Sequence, residues 1–208
     1  MAHEESQWDR MIRENPDHSV WYRERFRAMA AAGDDIVGEA RFIDAMAPRG
    51  SRVLDAGCGG GRVAGYLAEA GHTVVGVDGD PVLIEAAQVD YPHPNATWLV
   101  SNLAELDLRR SGVTESFAPF DVIVCAGNVM TFLAPSTRRP VLTNFADHLA
   151  PDGRAVIGFG AGRGYDYDAF FADAKAAGLK RDLLLSTWDI RPFTPGSDFV
   201  VALFTRAA

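Results

Sequence analysis

Short apolar runs rich in β-branched residues alternate with segments of helical spacing along this chain, and that alternation constrains the fold more than any other feature. Residues 52–56, 73–77, 97–100, 120–125 and 154–159 read as strands. Between them, 63–70, 81–89 and 137–150 carry helical spacing, with Gly71 placed to end the first, Asp80 to cap the second and Pro140 in the first turn of the third. Consecutive βα units imply a parallel sheet with helices on both faces, because parallel strands need crossovers and these are right-handed. A helix over 167–177, ended by Gly178, leads to strand-like segments at 183–190 and 199–205, which predict a terminal antiparallel hairpin. Before the first strand, Trp8, Met11 and Ile12, then Val20, Trp21, Phe26 and Met29, recur at helical spacing, and a further helix is predicted over 35–46.

In such a sheet ligands bind beyond the carboxyl ends of the strands, so residues just after each strand are the candidates for chemistry. The strongest local signal follows the first strand: Asp55-Ala56-Gly57-Cys58-Gly59-Gly60-Gly61-Arg62, a glycine turn opening into a helix. Glycines let backbone amides approach a ligand, and the helix start offers unpaired N–H groups that suit a carboxylate or phosphate. The second strand ends in Asp78, where a carboxylate can accept from ribose hydroxyls. A dinucleotide fingerprint would place glycine at position 62, which is Arg62, so the spacing is G-x-G-x-G and a nicotinamide-dependent oxidoreductase is disfavoured.

These motifs resemble those of the class I S-adenosylmethionine-dependent methyltransferases, whose first motif has the form of residues 53–61 and whose second-strand acid corresponds to Asp78. Residues 120–125 resemble that family's fourth-strand motif, and Leu149-Ala150-Pro151-Asp152-Gly153-Arg154 its turn into the fifth strand. The resemblance implies a Rossmann-like three-layer sandwich with a mostly parallel seven-stranded sheet and an antiparallel last strand. It also implies one domain over 1–208, with 1–50 supplying an N-terminal helical cap and first helix. The cofactor implied is S-adenosylmethionine, with Asp55, Gly57, Cys58 and Gly59 around its methionine part, Asp78 and Gly79 at the ribose, and Asn102 and Leu103 at the adenine. The family usually has an acid where this chain has Asn102; its amide oxygen can still accept from the adenine amine. Ala126 and Gly127 follow the fourth strand, beside the donor.

Asn128, Tyr22 and Tyr165 are the candidates for orienting the acceptor or accepting its proton, and Trp21, Arg163, Asp166 and Arg191 for binding it. Methyl transfer needs alignment more than acid–base chemistry, so no triad is required. With 28 acidic against 20 basic residues the net charge is -8, which disfavours a nucleic-acid partner and fits a small-molecule substrate. A donor-binding sensor without activity is the alternative from another class, and a nucleic-acid or protein methyltransferase a variant of the first reading. Cys58 and Cys125, the only cysteines, read as packing residues, and the histidines lack metal-ligand spacing. No apolar run approaches the roughly 18 residues of a membrane span, so no membrane partner, a cytoplasmic location and a monomer or homodimer are expected.

Overall fold

The computed structural model describes residues 4–108 and 118–207. Among them, the strands β1 (Arg52–Ala56), β2 (Thr73–Asp78), β3 (Ala96–Val100), β4 (Phe120–Cys125), β5 (Leu149–Gly160), β6 (Leu179–Leu185) and β7 (Phe199–Arg206) form a seven-stranded sheet ordered β3-β2-β1-β4-β5-β7-β6. β1 to β5 pair in parallel, while β7 runs antiparallel to its neighbours β5 and β6. The helices are α1 (Gln7–Glu14), α2 (His18–Ala31), α3 (Gly38–Met46), α4 (Arg62–Glu69), α5 (Pro81–Asp90), α6 (Val129–Phe132), α7 (Pro135–His148) and α8 (Tyr167–Ala176).

Residues alternate between the two faces of the sheet, so neighbouring apolar residues of one strand serve different cores. Val53, Val122, Val124 and Val156 pack with Ile43 of α3 and Leu67 of α4. Leu54, Ile123, Cys125 and Ile157 pack on the opposite face with Phe145 of α7 and Phe170 of α8. The three-layer, Rossmann-like arrangement implied by the sequence is therefore the one observed.

Two strand boundaries depart from the sequence pattern. β5 begins at Leu149, which pairs with Phe120, rather than at Arg154. The chain passes so close to β4 there that a Cβ on Gly153 would stand 2.7 Å from the Phe120 carbonyl oxygen. The sixth strand lies at Leu179–Leu185 instead of 183–190. It is an edge strand whose Lys180, Arg181 and Asp182 face solvent, so it lacks the apolar alternation on which strand recognition relies. Beyond it the chain turns back, the Ser186 N–H donating to the Arg191 carbonyl at 2.8 Å.

Candidate functional site

The glycine turn after β1 is held by the end of β2. The N–H groups of Gly57 and Cys58 both donate to the Val77 carbonyl, at 2.8 and 3.0 Å, and Gly59 N–H donates to Asp78 Oδ2 at 2.8 Å. Gly57, Gly59 and Gly61 all have positive φ, between 54° and 89°. A Cβ at Gly57 would lie 2.4 Å from Val129 and one at Gly61 2.7 Å from Trp98, so these two glycines also set how closely the turn packs on α6 and β3. Since the N-cap of α4 is Gly61, which has no side chain to offer, Asp55 supplies the acceptor: its Oδ2 takes the Ala64 N–H at 3.1 Å.

Burial pushes the Asp55 carboxyl up to about 7, against the opposing pull of Arg62 and the Ala64 N–H. Asp78 is also raised by burial, countered in part by N–H groups of Asp80 and Gly59. Both acids stand at the mouth of the sheet, where a cationic or hydroxyl-bearing ligand would relieve their desolvation.

Two clefts, of about 520 and 310 Å³, open at these strand ends, and Tyr22, Gly57, Gly59, Gly127 and Val129 line both. The larger runs past Asp78, Gly79, Asn102 and Leu103 and, on its other side, past Phe132, Leu133 and Thr137. The smaller holds Asp55, Cys58, Ala126 and Arg62. Every residue that the sequence suggested for the donor therefore lines one of the two clefts. A Cβ on Gly59 would stand 3.6 Å from the Tyr22 ring, and one on Gly127 4.0 Å from its hydroxyl, so side chains there would fill the space that joins the clefts. Bare backbone, two acids and an aromatic roof suit an elongated ligand with hydroxyl and ammonium groups.

Other sequence candidates land elsewhere. Asn102 is spent on its own backbone, its Oδ1 accepting the Ala104 N–H at 2.9 Å to start a short turn, although it still borders the larger cleft. Asn128 sits at φ 67°, and its Oδ1 accepts the Gly160 N–H at 2.8 Å, tying the ends of β4 and β5. That side chain is a strap between strands, outside the cleft linings. Tyr165 is only 4% exposed, stacks on Phe159 and donates its hydroxyl to Asp173 Oδ2 at 2.8 Å. Its burial and the Asp173 carboxylate raise its pKa, which makes it a core residue rather than an acceptor-orienting one. Trp21 is 54% exposed and points away from the clefts, beside His18. Asp166 and Arg191 are exposed and line neither cleft, Arg191 pairing with Asp189 at 3.4 Å; Arg163 borders a separate, adjoining groove.

Sequence reasoning missed the anchor of the cleft's roof. Asp80, 3% exposed, uses Oδ1 to cap α5 at the Val82 N–H, 2.9 Å away, and Oδ2 to accept from Trp8 Nε1 at 3.0 Å and Ser19 Oγ at 2.5 Å. One carboxylate thus pins both α1 and α2. Trp8 meets Tyr22 and Phe132 edge-on at 5.2 and 5.8 Å between ring centres, forming the aromatic wall of the larger cleft. The capping signal of Asp80 was legible in the sequence; its two distant donors were not. Arg62, at the position where a dinucleotide fingerprint has glycine, forms a two-pronged pair with Glu39 at 2.6 and 2.7 Å and lies over the Phe26 ring, joining α3, α4 and α2. Cys58 and Cys125 are buried free thiols with pKa values raised by burial, hence unreactive. Among the described residues no group of three metal-ligating side chains converges, and no helix is long and apolar enough to cross a membrane.

A family model described as a methyltransferase domain matches residues 53–153. The crystal structure of a TehB-like S-adenosylmethionine-dependent methyltransferase from Corynebacterium glutamicum is similar at 51% identity with a TM-score of 0.85, covering 92% of this chain and 100% of that one. An uncharacterized methyltransferase from Synechocystis is 42% identical over 77 residues, 34% of this chain and 34% of its own length. A ubiquinone biosynthesis O-methyltransferase from Paracidovorax citrulli is 36% identical over 89 residues, 40% of this chain and 34% of its own. The matched stretches thus span about a third of the length of these two curated relatives.

Proposed function

The chain belongs to the S-adenosylmethionine-dependent methyltransferases, and on that premise we propose that it transfers a methyl group from this donor to a small-molecule acceptor. The observation that carries the reading is the junction of two clefts beneath Tyr22, floored by Gly57, Gly59 and Gly127. In this reading Asp78 accepts from the ribose hydroxyls, Asp55 faces the ammonium end through the smaller cleft, and Leu103 with the Asn102 turn borders the adenine. S-adenosylmethionine supplies a methyl group already activated on a sulfonium. What the chain must add is alignment and exclusion of water. Trp8, Tyr22 and Phe132 close the roof, and α1 and α2 serve as a cap on the same unit, held down by Asp80. In this reading the acceptor enters along Phe132 and Leu133, which line the larger cleft.

Calorimetric titration with S-adenosylmethionine, S-adenosylhomocysteine and NAD, followed by an assay of donor consumption against small-molecule acceptors, tests this. Binding of the first two but not NAD, with turnover by at least one small acceptor, is the expected result. Binding of NAD alone would overturn the reading. Donor binding with no turnover on any acceptor would point instead to a sensor of the donor.

A further inference from the structure

Beside the larger cleft lies an open groove of about 440 Å³, whose charged lining is Glu4, Glu5, Glu14, Arg10, Arg138 and Arg163. Glu4, Leu133 and Ala134 border the cleft as well, so the two spaces adjoin. Within the groove a carboxylate of the protein itself is already bound. Glu4 Oε2 accepts from the backbone N–H of Ser136 at 3.2 Å and from its hydroxyl at 2.8 Å. Ser136 follows Pro135 in the first turn of α7, a helix of 14 residues, where N–H groups have no intrahelical partner and the helix dipole favours an anion. The Ser136 bonds, reinforced by Arg138 and Arg10, hold the Glu4 carboxyl below its ordinary value. Glu4 is nevertheless exposed, so water screens these attractions and the contact is easily displaced.

Two cations at this groove have no carboxylate within ion-pair distance among the described residues, although Arg138 acts on Glu4 from further off. Arg13, Arg27, Arg41, Arg49 and Arg62 are each paired with a carboxylate. Arg138 and Arg163 are in no ion pair among the described residues. Arg138 lies over the Tyr165 ring at 4.2 Å, and its Nε is buried without a hydrogen-bond partner. Two guanidinium groups outside any ion pair, beside a helix start that already binds one carboxylate, are the arrangement expected of an anion site.

We propose that this groove is the subsite for a carboxylate carried by the methyl acceptor, formed by the first turn of α7 with Arg138 and Arg163, and that Glu4 occupies it until an acceptor arrives. The acceptor is then a small acid that reaches across Leu133 and Ala134 to place its nucleophile at the junction beneath Tyr22. The word acceptor rests on the methyl-transfer reading of the adjoining cleft, whereas anion binding rests on the groove alone.

Benzoate is a suitable probe and benzamide its neutral counterpart, each titrated into the wild-type protein, Glu4→Ala and Arg163→Ala, with and without S-adenosylhomocysteine. Both substituted side chains are exposed and outside the cores, so the variants fold. Benzoate is expected to bind Glu4→Ala about threefold more tightly than wild type, as loss of a screened competitor allows. It should bind Arg163→Ala roughly tenfold more weakly, the worth of one charge-assisted contact. Benzamide should bind all three weakly. No benzoate binding, equal benzoate affinity in all three proteins, or benzamide binding as tightly as benzoate would each overturn the subsite. Failure of S-adenosylhomocysteine to bind in the same titrations would overturn the methyl-transfer reading, and the benzoate pattern would still decide the anion site.

Discussion

The two halves of the cleft are built differently. The proposed donor half is made of backbone and short acids at the ends of β1 and β2, where Gly57, Cys58 and Gly59 bond directly to Val77 and Asp78 of the next strand. The proposed acceptor half is made of side chains from far apart in the chain, Trp8 and Tyr22 from α1 and α2 and Phe132 and Leu133 from the end of α6. Strand register alone fixes the first, because β1 and β2 pair residue by residue from Arg52 opposite Thr73 to Ala56 opposite Val77. Packing of two helices onto the body fixes the second, and packing can be loosened without unmaking the sheet.

The largest test of that difference is Asp78→Ala. It removes the acceptor for two backbone N–H groups, of Gly59 and Asp80, as well as the proposed ribose contact. Affinity for S-adenosylhomocysteine should fall about 100-fold, the worth of two hydrogen bonds to a charged group. Calorimetry reads this directly, and a loss of less than fivefold would mean that the donor lies elsewhere.

Asp80→Ala probes the acceptor half. It leaves Trp8 Nε1 and Ser19 Oγ without their acceptor and removes the cap of α5. About 2 kcal/mol of stability should be lost, seen as a fall in Tm of about 4–8 °C. The backbone N–H of residue 80 still reaches Asp78, so donor affinity should change far less than in Asp78→Ala. Hydrogen exchange should quicken in α1 and α2 while β1 and β4 stay protected. Equal quickening throughout would show that the two helices and the sheet open as one unit.

The same division decides how much was legible in the sequence. Gly57, Gly59 and Asp78 were readable because a strand, a glycine turn and a helix are consecutive in the chain, and the turn's geometry follows from its neighbours. Asn128 and Tyr165 follow strands too, but their side chains are claimed by Gly160 and Asp173, partners whose proximity only the folded chain reveals. Asn102 was claimed by a backbone N–H two residues on, the ordinary habit of its residue type. β6 was misplaced because an edge strand with one face in water carries its charges where a buried strand carries valines.

Asp55 links the donor half to pH. Its carboxyl stands at about 7 in the folded chain against roughly 3.9 unfolded. Between those values the folded state holds a proton that the unfolded chain has released, so stability falls as pH rises from about 4 to about 7 and is level above. Each unit of pKa is worth about 1.4 kcal/mol. Asp78, raised in the same direction, contributes with the same sign. A cationic group bound beside Asp55 favours its ionised form, so donor binding should release a proton and weaken by up to about tenfold for each unit that the pH falls below 7. Asp55→Asn keeps an acceptor for the Ala64 N–H and should flatten most of both dependences. Urea unfolding and donor titration at pH 5.5 and 8 compare them; an unchanged pH dependence in the variant would remove Asp55 from the donor site.

The smallest expected effect contrasts two adjacent aromatic residues. On a helix, neighbours in sequence point about 100° apart, so the face of α2 that carries Ser19 to Asp80 and Tyr22 to the cleft necessarily turns Trp21 outward. Periodicity alone left both rings open as candidates, because the buried hydrogen bond that sets the helix rotation comes from 61 residues away. Trp21→Ala should therefore shift stability by less than about 0.5 kcal/mol, as an exposed substitution does, and leave donor affinity unchanged. Tyr22→Ala should open the roof that both clefts share and weaken donor binding. If calorimetry instead shows Trp21→Ala weakening the donor as much as Tyr22→Ala, α2 sits rotated when the donor is bound, and the acceptor half is remade on binding rather than preformed.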